Sequence, residues 1–101
     1  MRDLLATMDA LEGVLTRESE GVRAGRIAQA LAESAPKSEL ASAYMNGLEA
    51  AKANAIALAR FAPEGVEALK AAQHRFAAAV ETNQQVLATA RAVSEGLVKA
   101  L

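Results

Sequence analysis

The chain has no cysteine and no tryptophan, only two prolines, and only three ring-bearing residues among the apolar ones, Tyr44, Phe61 and Phe76. Without cysteine there can be no disulfide, thiolate nucleophile or thiolate metal ligand, and a reducing cytoplasm is the default compartment. The scarcity of rings means that any core is built from small aliphatic side chains. No stretch approaches the roughly eighteen consecutive apolar residues of a membrane span. The first nine positions carry Asp3 and Asp9 instead of the apolar run of an export leader, so a soluble, cytoplasmic chain is expected. Charge of one sign is missing too: 11 Lys and Arg stand against 12 Asp and Glu. The arginines are scattered among acids, which argues against a nucleic-acid surface.

What is abundant is alanine, about a quarter of the 101 residues, within an apolar fraction of 52%. Alanine favours helix strongly and buries little area. At this length there is room for one domain, 1–101, with one core. The expected product is all-α, made of slender helices in close contact and modest in stability.

The pattern makes 64–101 the stretch around which the chain is organised, readable as one amphipathic helix with Leu69, Phe76, Val80, Leu87, Leu97 and Leu101 on steps of three and four or their sums. At 1.5 Å per residue it would run roughly 50 Å, more than a small core needs. At the other end of the chain Leu4, Met8, Leu11, Leu15 and Val22 describe a heptad seam whose missing member is Glu18. Gly21 and Gly25 weaken that helix, and the apolar phase shifts at Ile27 and Leu31, so a kink or short break is predicted near Gly21 to Gly25. Pro36 and Pro63 each suit the first turn of a new helix and stop the one before. Leu40, Tyr44, Leu48, Ala51, Ala55 and Leu58 mark the second helix, with Met45, Ile56 and Phe61 widening its apolar face. The reading is therefore three helices, 3–33, 36–61 and 64–100, in an antiparallel up-down-up bundle or elongated array. Short corners require neighbouring helices to run in opposite directions.

Candidates for chemistry are few. Glu18 on an apolar seam could serve as a base or a metal ligand only beside a second carboxylate or a histidine. No Glu-x-x-His or His-Glu-x-x-His spacing is present. A structural carboxylate, half exposed or paired with a residue on another helix, is the better reading. His74, the only histidine, lies between Gln73 and Arg75 and reads as a solvated surface residue. No catalytic residue, metal or cofactor is expected. Asn83 stands on the seam between Val80 and Leu87, where a buried amide needs partners and can set register; a half-exposed amide bonded to water is the other reading. The C-terminal half of the last helix is apolar over more than one flank. Val80, Asn83, Val86, Leu87, Ala90, Val93, Leu97, Val98 and Leu101 form the candidate partner-binding surface, of which two neighbouring helices need only part; the alternative is a wide core-facing side in a three-helix bundle.

Three blocks resemble the FlgN-like flagellar export chaperones. Glu18-x-x-x-Val22 with Gly25 and Leu31 is similar to that family's glutamate, apolar residue, turn-like interruption and leucine. Lys37-x-x-Leu40 is similar to the start of its second helix, and Asn83 with Val86-Leu87 to its asparagine and aliphatics in the last helix. The chain differs in being shorter than is usual for the family and in its brief second corner. The resemblance implies a cytoplasmic chaperone that holds helical terminal segments of hook-filament junction proteins before type III export. Two other readings compete with it. One is a helical adaptor that self-associates through the last helix as a coiled coil. The other, membrane docking by that helix, is disfavoured because its polar face has no lysine-rich strip.

Overall fold

The computed structural model describes residues 2–100. Among them are five helices, α1 (Arg2–Arg23), α2 (Ile27–Glu33), α3 (Lys37–Ala53), α4 (Ala55–Phe61) and α5 (Pro63–Ala100), and no strand. The array is elongated, 61 × 20 × 19 Å. No helix among the described residues is long and apolar enough to cross a membrane.

The central element is α1, not the last third of the chain. Its heptad positions Leu4, Met8, Leu11 and Leu15 are buried, Val14 joins them, and Glu18 is buried in the place where the seam expects an apolar residue. α2, α3 and α5 all pack against α1. α3 and α4 contribute no buried residue, and α5 contributes only Ala72, Asn83 and Val86. The long side chains of α1 fill space that the alanine-rich helices around it cannot fill, which is why it takes the middle position.

Pairings along α1 give the directions. Leu4 and Met8 cluster with Ala72, Leu69 and Phe76. Further along, Glu18 reaches Asn83. α5 therefore runs parallel to α1. α3 runs antiparallel to both, since Lys37 meets Glu18 at one end and Gly47 lies against Leu4 at the other. The up-down-up order of the three long helices is thus present. α3 and α5 meet through side chains, as where the rings of Tyr44 and Phe76 tilt together with centroids 4.8 Å apart.

The first helix breaks completely instead of bending. Gly25 has φ +78°, and two hydrogen bonds close the end of α1: Arg26 N donates to Gly21 O at 2.8 Å and Gly25 N to Val22 O at 3.1 Å. This is the double cap in which a left-handed glycine satisfies the last carbonyls, so the chain leaves the helix axis. α2 then packs back on α1, with Gly21 against Ala30 so closely that a β-carbon on Gly21 would lie 2.8 Å from that of Ala30. The expected helix 3–33 is thus two helices, divided at the predicted place by a break and not a kink.

The expected helix 36–61 is also divided, at Asn54. The Asn54 side-chain amide donates to Ala50 O at 2.9 Å, and its backbone stands at φ −109°, ψ 20°. A side chain that bonds its own preceding turn competes with the helical ladder. α4 restarts with Leu58 turned inward, while Met45, Ile56 and Phe61 remain exposed and do not widen a buried face. α5 begins at Pro63, one residue before the expected start.

Gly21→Ala should push α2 off α1, and Gly25→Ala should force a β-carbon into the left-handed region. Each is expected to lower unfolding free energy by about 1–2 kcal/mol. Urea titration followed by circular dichroism measures this. Unchanged midpoints would mean that α2 is not docked as described.

Candidate functional site

Two features of α5 bear on function, and the second follows from where α1 stops. The first is a polar knot between the last turns of α1, the start of α3 and α5. Asn83 Nδ2 donates to Glu18 Oε1 at 2.9 Å, to Ser19 Oγ at 3.1 Å and to Leu15 O at 3.3 Å. Lys37 Nζ donates to the same Glu18 oxygen at 2.9 Å and, more weakly, to Asn83 Oδ1 at 3.4 Å. Ser19 Oγ in turn donates to Leu15 O at 2.9 Å. Glu18, Ser19 and the Leu15 carbonyl of α1 are tied in this way to Lys37 of α3 and Asn83 of α5. Among the described residues no buried side-chain nitrogen or oxygen lacks a partner.

Burial by itself would raise the pKa of Glu18. Hydrogen bonds from Asn83 and Lys37, the positive charge of Lys37 and the Ser34 hydroxyl outweigh it and hold the carboxyl below the usual glutamate range. Glu18 is therefore the ionised acceptor of a structural pair. A general base would need a raised pKa and a substrate path. Among the described residues no three His, Cys, Asp or Glu side chains converge. His74 lies exposed on α5.

The second feature is the seam on α5. Leu69, Ala72, Phe76, Ala79, Asn83, Val86, Ala90, Val93 and Leu97 follow each other at steps of three and four without interruption. Sequence reading placed the stripe through Val80 and Leu87. Both are half-buried beside the seam, and the residues that face α1 lie one position earlier, at Ala79 and Val86. Alanine hid this register, because a count of large apolar residues passes over Ala72 and Ala79.

Burial along that seam ends abruptly. Asn83 is 3% exposed and Val86 7%, while Val93 is 59% exposed and Leu97 62%. α1 ends five residues beyond Glu18, whereas α5 continues seventeen beyond its partner Asn83. An overhang of about twelve residues, roughly 18 Å, is left without a helix over it. α2 does not cover it, because the turn at Gly25 sends α2 back against α1.

The candidate surface therefore divides. Asn83 and Val86 belong to the interior and are not an exposed docking face; their partners are α1 and the polar knot. Val80, Leu87 and Ala90 are half-buried, and Val93, Leu97 and Val98 are exposed. Leu101 lies outside the described residues. Sequence reading missed Val22 and Ile27. With Val86, Ala90, Val93 and Leu97 they line an open groove of about 870 Å³ between the end of α1 and the overhang of α5. The phase shift between Val22 and Ile27 was the available signal. A helix seam that changes phase leaves its old line vacant.

Because the folded-state pKa of Glu18 is lowered, its contribution to stability is complete above the usual glutamate pKa and is lost as pH falls through the lower folded value. Glu18→Gln should lower stability by about 1–3 kcal/mol at pH 7 and flatten the acid limb of the stability profile below about pH 4.5. Asn83→Ala should show a similar loss at pH 7, since it strips a bond from a buried carboxylate. Chemical denaturation from pH 3 to pH 7 checks both.

No family model, curated protein or solved structure matches the chain, and the reading of its site accordingly rests on the geometry just described.

Proposed function

We propose that the chain holds a helical segment of another protein against the overhang of α5, as an export chaperone of the flagellar type III apparatus does for hook-filament junction proteins. One observation carries this: an apolar three-four seam continues past the helix that covers it and ends in open solvent at Val93 and Leu97. A partner helix lying on α1's vacated line would bury Ala90, Val93 and Leu97 in the way α1 buries Ala72 and Val86. Covering a valine or leucine side chain contributes about 1.5–3 kcal/mol. Terminal segments of coiled-coil proteins expose a stripe of matching period before assembly, and helix-in-groove capture is the economical way to cover one.

Support for the finer part of the proposal comes from the three blocks of the resemblance. Glu18, Lys37 and Asn83, one from each block, meet in a single polar knot. Residues so far apart in sequence are brought together as one working unit, and Gly25 supplies the turn that vacates the groove. On this reading the chain acts by binding, not catalysis, and works in the cytoplasm where clients await export.

The test uses Val93→Asp with Leu97→Asp. Both residues are exposed, so helicity and unfolding midpoint should stay within error of the wild type. Copurification with the source cell's hook-filament junction proteins should fall at least about a hundredfold in the double variant. If the wild type captures no junction protein and sediments as a dimer that the double variant abolishes, the seam pairs two copies and the chaperone reading is wrong.

A further inference from the structure

The groove is not only apolar. Arg23, at the end of α1, and Arg91, on α5, both line it, and no aspartate or glutamate does; its remaining polar lining is Gln85, Thr89 and Ser94. Among the described residues neither arginine belongs to an ion pair; the pairs present are Lys37 with Glu18, Lys52 with Glu49 and Lys70 with Glu67. The lining thus carries two positive charges and no negative one in a chain whose formal net charge is −1. Both arginines are exposed, so neither charge serves the core. A guanidinium at the rim of an apolar groove can reach a carboxylate on the flank of a docked helix while its methylenes extend the apolar wall.

We infer that the groove selects an acidic amphipathic helix: a partner segment with aliphatic residues at a three-four spacing and glutamate or aspartate on its flanks, placed to meet Arg23 and Arg91. This deepens the proposed function and rests on it, because it names the chemistry of the client that the overhang takes. Charge complementarity at a groove rim acts mainly on partner choice. A lysine-flanked helix with the same apolar stripe meets like charge and is rejected, and an uncharged one is tolerated. Arg23 and Arg91 are then specificity-determining residues, and Val93 and Leu97 supply the affinity common to all clients.

Three fluorescein-labelled peptides of eighteen residues, sharing one leucine and valine stripe and flanked by glutamate, glutamine or lysine, are titrated with the full chain by fluorescence anisotropy. The expected order is glutamate tighter than glutamine and glutamine tighter than lysine. The extremes should differ by at least about tenfold in 50 mM salt, narrowing to within about twofold in 0.5 M. Arg23→Glu with Arg91→Glu should reverse the order, with circular dichroism unchanged. Equal binding of all three, lost in Val93→Asp with Leu97→Asp, overturns charge selection and leaves the helix-holding reading intact. Tighter binding of the lysine peptide by the wild type also overturns it. Binding of none of the three overturns both the selection and the overhang as a helix site.

Discussion

A buried carboxylate on an apolar seam sets the arrangement of this bundle. Glu18 takes the place of an aliphatic residue on the central helix, and an ionised group there is tolerated only with partners around it. Asn83 and Lys37 are those partners, and each comes from a different helix. A shift of α5 by one helical turn along α1 would put Ala79 or Val86 before the carboxylate, and a shift of α3 would remove its counter-charge. A core of alanine and a few leucines would accept several registers at similar energy. The knot favours one, and in doing so determines how far α5 extends beyond α1.

That extension divides α5 between two tasks. Its first two-thirds complete the core through Leu69, Ala72, Phe76, Asn83 and Val86. Its last turns repeat the same spacing with no helix opposite. The division is made by the glycine cap on α1, since the line along α5 is vacated where Gly25 turns the backbone away. Groove and core are therefore consecutive stretches of one seam, differing only in whether the chain covers its own surface.

Much of this was legible in the residues. The heptad spacing of α1, the proline corners and the anomaly of Glu18 follow from rules of helix geometry and polar burial. The pairing of Glu18 across helices was readable as a need, though its partners were not. Three things escaped. Alanine carries no size signal, so the register of α5 was read one residue late, at Val80 and Leu87 in place of Ala79 and Val86. Asn54 breaks the second helix through a bond to its own preceding turn, and an asparagine inside a helical pattern carries no mark that separates this from an exposed amide. The central role of α1 was hidden by the greater length of α5. Length follows from local pattern, whereas the middle position depends on which side chains fill the space between three helices.

The parallel pairing of α1 with α5 also bears on how the chain is made. Glu18 and Asn83 lie 65 residues apart, and their contact closes most of the molecule into a single loop. Contacts so distant in sequence form slowly, because the chain must lose the entropy of the whole loop before any pairing offsets it. On the ribosome, Leu4, Met8, Leu11 and Leu15 emerge long before the stretch of α5 that covers them. α2 and α3 follow α1 directly and can pack on it first, so only the side of Leu4 and Met8 that faces Ala72 waits for α5.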